Sequence, residues 1–149
     1  MKRFVFRLER LLQLRESAER ERARDLGAAL RSEADCRAEA LAGEERLAGA
    51  RAQLAETSRG LAHAGTLQNL DLAIGALARE SKALADQHER SLERLELERR
   101  QFEQARMAKR VLERLREQRR GAWNEAYGRW EQAVTDESAG QRAYGEGEL

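Results

Sequence analysis

Histidine and cysteine are the residues of this chain whose chemistry most readily serves catalysis or metal binding. The sequence has two histidines, His63 and His88, and a single cysteine, Cys36. His63 lies in a glycine-containing break and His88 on a helical pattern, so two rigid helices would hold them too far apart to share a metal ion. His88 and Cys36 fall on apolar stripes, where packed seam residues are expected, and no histidine is adjacent in sequence to activate the thiol. We therefore predict neither a metal site nor a nucleophilic centre.

The acidic residues are numerous, but almost all have a basic residue one helical turn away. That pattern is typical of a solvated helix surface and not of general acid–base pairs. The segments "GAAL" and "GALA" lack the lysine and the serine or threonine that a phosphate-binding loop requires. The sequence thus predicts no catalytic residue, no cofactor and no enzyme activity.

The composition favours helices over every other element. Proline is absent, only seven residues are β-branched, and charged residues make up 37% against 5% aromatic. Such a chain cannot fill a thick core, but it can fill the narrow seam between two helices. A net charge of +1 does not favour nucleic acid, and charged residues interrupt the opening "MKRFVFRLERLL", so we expect neither a signal peptide nor a membrane span. The single cysteine fits a cytosolic protein.

Apolar and small residues recur every three or four positions in both halves of the chain. One heptad frame runs from Val5 to Leu61, a second stripe runs from Leu70 to Ala133, and the segment between them contains Gly60 and Gly65. These stripes predict an all-α fold, an elongated, stalk-like antiparallel two-helix coiled-coil hairpin. The glycines are expected to end the first helix in left-handed conformations. We predict one domain, residues 1–149, with a first helix at about 3–58, a tip at about 59–69, a second helix at about 70–138 and a frayed tail at about 139–149.

Equal rise along both helices sets the predicted register. With the tip at residues 62–66, paired residue numbers add to about 128, which places Leu26 level with Phe102 and Val5 level with Trp123. The second helix then extends about 20 residues beyond the first. Most aromatic residues gather at this open end: Phe4, Phe6, Trp123, Tyr127, Trp130 and Tyr144. Residues 1–24 carry eight basic and four acidic residues, and 99–120 carry nine and three, so this end is also basic.

Two long segments resemble the FliJ proteins of the bacterial flagellar export apparatus. The opening "FVFRLERLLQLRESAERERARDLGAAL" is similar to the start of that family, and "KRVLERLREQRRGAWNEAYGRWEQAVTDESAGQRAY" to its second helix. The resemblance rests on a Phe-x-Phe-x-Leu opening, one glycine-marked break and a C-terminal group of recurring residues, namely Leu112, Glu113, Leu115, Glu131, Asp136 and Glu137. It covers nearly the whole chain.

The resemblance implies a non-enzymatic protein that is shaped like the stalk of the rotary ATP synthase. Its implied partners are the hexameric flagellar export ATPase, which it stimulates, the cytoplasmic domain of the export gate protein, and empty export chaperones. Its implied location is cytoplasmic, peripherally at the inner membrane at the flagellar base, without insertion into the membrane. Two alternatives remain open, the stalk protein of a virulence-type type III secretion system and a generic coiled-coil scaffold without an ATPase partner.

The resemblance implies one candidate binding site, and the residues of the open end suggest a second. The family's gate-binding surface is an apolar set at the start of the second helix, for which the nearest positions are Leu70, Ile74 and Leu77; the alternative is that these three are ordinary seam residues. At the open end, we expect a basic collar and exposed tryptophan to dock into the ATPase ring; the alternative is a set of solvated arginines. The residues of this expected docking site are Arg110, Arg114, Arg116, Arg119, Arg120, Trp123 and Trp130.

Overall fold

The chain folds into two long α-helices that pack against each other. The structure, a computed structural model, describes residues 3–60 and 63–145, with side chains described through residue 139. Helix α1 comprises Glu9–Arg59 and helix α2 comprises Ala64–Gly145, and the described ranges contain no strand. The predicted all-α helical hairpin is therefore confirmed.

Both helices differ in extent from the sequence-based expectation. Helix α1 begins at Glu9, well after the expected residue 3, because its first backbone hydrogen bonds run from Glu9 N–H to Phe6 C=O (3.1 Å) and from Leu12 N–H to Leu8 C=O (2.9 Å). The segment before Leu8 is thus free to lie against α2 in an irregular conformation. At the other end, α2 continues to Gly145 through part of the expected frayed tail, and residues 146–149 lie outside the described residues.

The break between the helices is shorter than expected and does not use a left-handed glycine. Gly60 N–H donates to Thr57 C=O at 3.3 Å, and no described glycine has a positive φ. Helix α2 starts early because Thr66 N–H and Leu67 N–H both donate to the His63 carbonyl, at 3.0 and 3.3 Å. Residues 61 and 62, at the centre of this break, lie outside the described residues.

The chain divides into two compact units, each of which contains part of both helices. The terminal unit comprises Met1–Glu19 with Gln104–Leu149, and the loop unit comprises Arg20–Glu103. Each unit contains a pair of helices of the expected kind, and the single domain expected for residues 1–149 stays a prediction.

In the loop unit, cross-helix polar pairs show that the helices run antiparallel. Arg46 pairs with Glu80 at 3.0 Å, His88 with Glu33 at 3.0 Å, and Arg22 with Gln101 at 2.7 Å, so residue numbers rise along α1 as they fall along α2.

The observed register differs from the predicted one by about five residues at mid-length. The paired numbers in the loop unit add to between 121 and 126 instead of 128. The predicted level pair of Leu26 and Phe102 is therefore wrong, and Leu26 lies level with the helical turn of α2 around residue 97. The cause is the position of the break, because helices that end at Arg59 and restart at Ala64 turn earlier than a tip at residues 62–66.

Small residues bring the two backbones close together in the loop unit. An ideal Cβ atom built on Gly43 would lie 3.6 Å from the Cα atom of Ser81 and 2.8 Å from Cδ1 of Leu84. Ser81 and Ala40 are both buried. Close approach of this kind requires a glycine, and it agrees with the small residues that the sequence places along the middle of the seam.

We predict that Gly43→Cys and Ser81→Cys, combined in a Cys36→Ser background, form an intrachain disulfide on mild oxidation. The short distance between Gly43 and Ser81 fits disulfide geometry once the flexible end of Leu84 turns aside. Mobility on a non-reducing gel and mass spectrometry of the digest give the readout. The matched control is the pair Leu26→Cys and Phe102→Cys, which has the sequence-predicted register and should not close. Cross-links that form only between chains would contradict the hairpin.

Candidate protein-docking sites

Two of the three residues with catalytic potential, His88 and Cys36, contact the opposite helix, whereas His63 is exposed just before α2. His88 Nε2 lies 3.0 Å from Glu33 Oε1 in a half-buried pair, and Gln87 Nε2 donates to Cys36 Sγ at 3.7 Å. Within the described ranges, no group of three or more histidine, cysteine, aspartate or glutamate side chains is placed to hold a metal ion. The remaining candidate sites are the two surfaces predicted from the sequence, at the open end and at the start of α2.

The terminal unit is held together by a small apolar core. Leu12 is 1% exposed and packs with Phe6 and Leu112, while Phe4 and Leu115 pack against this cluster. The alternation of Phe4 and Phe6 suits the extended segment before α1, and burial of large side chains fixes that segment against α2. The same short core positions the aromatic and basic residues of this end.

An aromatic ladder leads from this core along α2. The ring of Phe4 lies 6.1 Å from Trp123, Trp123 stacks on Tyr127 at 5.2 Å, and Tyr127 lies 5.7 Å from Trp130. Spacings of four and three residues place the last three rings on one helical face. The predicted register placed Val5 level with Trp123, but Val5 is exposed and its neighbour Phe4 makes the contact. The side chain of Tyr144 lies outside the described residues.

Beyond Gly128, every described side chain of α2 is exposed. Trp130 is 44% exposed and Val134 is 45% exposed, which are high values for large apolar side chains. The aromatic ladder thus runs from a covered position at Trp123 to an uncovered one at Trp130, and Trp130 presents apolar surface to solvent.

The five arginines of the expected collar are all exposed, but they are differently placed. Arg116 Nε lies 3.7 Å from Glu9 Oε2. Arg119 lines an apolar pocket beside Phe4, and Arg120 lines a shallow depression. Arg116 and Arg120 line the same depression, whereas Arg119 belongs to the pocket. Arg110 and Arg114 lie about 160° around the helix from the buried Leu112 and so face outward.

Lys109 has a role that was not predicted from the sequence. Its Nζ atom lies 2.7 Å from Glu19 Oε2 and 3.6 Å from Glu113 Oε1, so it links the two helices of the terminal unit. The hydrogen bond with Glu19 raises the pKa of Lys109 above its ordinary value. The signal in the sequence was a Glu in the apolar heptad frame, which requires a cation from the other helix.

The candidate gate-binding residues Leu70, Ile74 and Leu77 are half-buried. They share a helical stripe with the buried Ser81, four residues after Leu77, so they lie on the packed side of α2. Leu72, by contrast, is 67% exposed and points to another side of the helix. The three residues are thus close together, but each presents only part of its apolar surface.

No helix in the described ranges is both long enough and apolar enough to span a bilayer.

The structure defines the class as an all-α protein of two paired helices whose candidate sites are docking surfaces. A family model described as "Flagellar FliJ protein" matches residues 4–148, nearly the whole chain, and the chain belongs to that family. Membership confirms the resemblance and makes the chain a component of flagellar protein export. Searches of curated proteins and of solved structures gave no match.

We predict that the ion pair of Lys109 contributes a pH-dependent part of the stability. A lysine whose pKa is raised by folding stabilises the folded state fully below its unfolded pKa, about 10.4, and loses that contribution as pH rises through the folded value. Lys109→Met should therefore lower the melting temperature at pH 8, and the difference from the parent chain should shrink as the pH rises beyond the ordinary pKa of lysine. Lys82→Met is the control. A difference that stays constant with pH would contradict an electrostatic role.

Proposed function

We propose that this protein binds and stimulates the flagellar export ATPase, couples it to the export gate and engages export chaperones, without being an enzyme itself. Its proposed location is cytoplasmic, peripherally at the inner membrane at the flagellar base. Family membership supports a role in flagellar export. The uncovered aromatic and basic end of the terminal unit supports a docking role.

The observation that carries the proposal is the exposure of Trp130 at the end of an ordered aromatic ladder. A tilted ring contact with Tyr127 restrains the Trp130 ring, so less side-chain entropy is lost when a partner covers it. Exposed tryptophans that fill a partner's pocket are among the residues that contribute most to binding. An apolar sleeve at the centre of an ATPase ring is a fitting receptor for this end.

The arginines add an electrostatic component to this docking site. Arg110, Arg114, Arg119 and Arg120 are exposed and make no ion pair with any described residue, and Arg116 has one partner, Glu9. Unpaired guanidinium groups attract carboxylates that line a ring pore, and they raise the rate of association more than the affinity. The proposal therefore assigns the apolar contact to Trp130 and the steering to the arginines.

The gate-binding site is proposed at Leu70, Ile74 and Leu77. The half-burial of these side chains supports both packing within the hairpin and partial access from outside, because a two-helix seam covers only one side of each residue. A gate domain that binds here contacts the uncovered edge of this stripe.

The ATPase proposal predicts that Trp130→Ala weakens stimulation. Titrating the cognate export ATPase should show a rise of about tenfold in the concentration needed for half-maximal turnover, since an anchoring aromatic residue is lost. Gln132→Ala, on the same exposed segment, is the matched control. The double variant Arg116→Glu with Arg119→Glu should also weaken stimulation, and raised salt should reproduce this second effect only.

Unchanged turnover on addition of the parent protein would favour a generic scaffold without an ATPase partner. Normal stimulation by both the tryptophan and the arginine variants, with loss in variants near Gly60, would show that the opposite end docks.

The gate proposal predicts that Leu70→Asp or Ile74→Asp lowers affinity for the cytoplasmic domain of the gate protein by about tenfold or more, because a buried charge replaces an apolar contact. Calorimetry measures the affinity and circular dichroism the helix content. Leu72→Asp introduces the same charge on the exposed side and should bind normally. A large loss of helix content in the Leu70 and Ile74 variants would identify these residues as packing residues only.

A further inference from the structure

One side of the terminal unit carries large apolar side chains that no described residue covers. Leu11 of α1 is 39% exposed, and Val111 and Met107 of α2 are 65% and 64% exposed. Leu8, directly before α1, and Leu14 of α1 add to this set. Single exposed apolar residues are ordinary, but five that share one side of a small unit form a patch.

The positions of these residues follow from the rotation of about 100° per residue in a helix. On α1, the angles around the helix axis are measured from the buried Leu12. The side chains at about 40°, 100° and 160° to one side are Leu8, Leu11 and Leu14, respectively. On α2, the angles are measured from the buried Leu112. The side chains at about 60°, 100° and 140° to one side are Leu115, Val111 and Met107, respectively. For antiparallel helices these are the same side of the pair. We call the surface formed by Leu8, Leu11, Leu14, Met107, Val111 and Leu115 the apolar face.

An ion pair across the helices confirms this assignment of sides. Glu9 lies about 60° from Leu12 in the opposite direction, and Arg116 lies about 40° from Leu112 in the opposite direction. These two side chains meet at 3.7 Å. Glu9 and Arg116 therefore lie on the same side of the helix pair, opposite the apolar face.

The charged residues are sorted between the two sides. Glu9, Glu16, Glu113 and Glu117 all lie on the side opposite the apolar face. The acidic residue nearest to the apolar face is Glu19, close to the line of contact, and Lys109 neutralises it at 2.7 Å.

The apolar face, by contrast, is bordered by cations. Arg15 of α1 and Arg119 of α2 lie on its side of the pair. Both are exposed and form no ion pair with a described residue. Between residues 104 and 122 of α2, this side has no carboxylate.

A pocket lies at one end of the apolar face. Its volume is about 420 Å³, within the range of sites that accept a large side chain. Apolar side chains form most of its wall, and two guanidinium groups complete it without a carboxylate: Phe4, Val5, Phe6, Leu8, Leu115, Arg7 and Arg119. The pocket therefore suits an apolar anchor that has an acidic residue beside it.

We propose that the apolar face binds an amphipathic helix of a partner protein whose apolar stripe is bordered by aspartate and glutamate. From Arg119 to Met107 the face is about 18 Å long, enough for three turns of a bound helix. One apolar side chain of that helix enters the pocket, others cover Leu11 and Val111, and its carboxylates meet Arg15 and Arg119. A second copy of this chain is a poor occupant, because its own apolar face is bordered by arginine and the cations would repel.

Arg119 is common to this proposal and the ATPase proposal, but the variants that test the apolar face, at Val111 and Leu11, lie outside the ATPase-docking residues. The test uses the full chain and three labelled synthetic peptides of about 18 residues. The first has a leucine stripe bordered by glutamate, the second has the same stripe bordered by lysine, and the third is a scrambled form of the first. Fluorescence anisotropy measures binding. Only the first peptide should bind, and Val111→Asp should weaken its binding by about tenfold or more.

Gln13→Asp is the matched control, because it adds the same charge at nearly the same level of the pair but on the opposite side. It should leave peptide binding unchanged. Leu11→Ala, which adds no charge, should also weaken binding, and circular dichroism verifies that each variant is folded.

Equal binding of the scrambled or lysine-bordered peptide, or no effect of Val111→Asp, would overturn the proposal. A dimer in sedimentation that Val111→Asp dissociates would identify a second copy as the occupant. Binding to anionic lipid vesicles that depends on Val111, without peptide binding, would identify a lipid surface instead. Both results also overturn it.

Discussion

The position of the turn between Arg59 and Ala64 determines which residues of the two helices meet. Once two antiparallel helices share one end, equal rise per residue fixes every level pair along their length. The pairs Arg46–Glu80 and Glu33–His88 in the loop unit both follow from this early turn. In such a protein, when the turn lies two or three residues earlier in the chain, each residue of one helix is level with a residue of the other helix that is twice that number of positions away from its former partner.

The second constraint is the shortage of apolar side chains. A seam between two helices covers a single face of each, and much of this seam is made of small residues. The loop unit compensates with close backbone approach at Gly43 and with polar pairs across the helices. The terminal unit uses larger side chains, Phe6, Leu12 and Leu112, and an ion pair at Lys109. Docking surfaces are thus an expected consequence of an architecture that leaves most of each helix uncovered.

The sequence predicted the helices, their antiparallel pairing and the exposure of Trp130, because apolar periodicity and the absence of proline act locally. It did not predict the register, since the early start of α2 depends on backbone hydrogen bonds to His63 that no composition signal marks. It also missed the irregular segment around Phe4 and the pairing of Lys109 with Glu19, which depend on contacts between distant parts of the chain. The half-burial of Leu70, Ile74 and Leu77 could not be read from periodicity alone, because periodicity gives the side of a helix and not its degree of coverage.

The sparse seam of the loop unit has a consequence for the time course of binding. Few large side chains must lose contact when a turn of one helix separates locally from the other, so such openings require far less free energy than unfolding of the whole chain. Amides along the middle of the seam should therefore exchange with solvent deuterium faster than those around Leu12. A partner that recognises the separated form binds only the fraction of molecules that is open at a given moment, and its apparent affinity falls by that fraction. The small residues of the seam thereby determine how often the inner surface of the helices becomes accessible to a partner, and they do so without altering that surface.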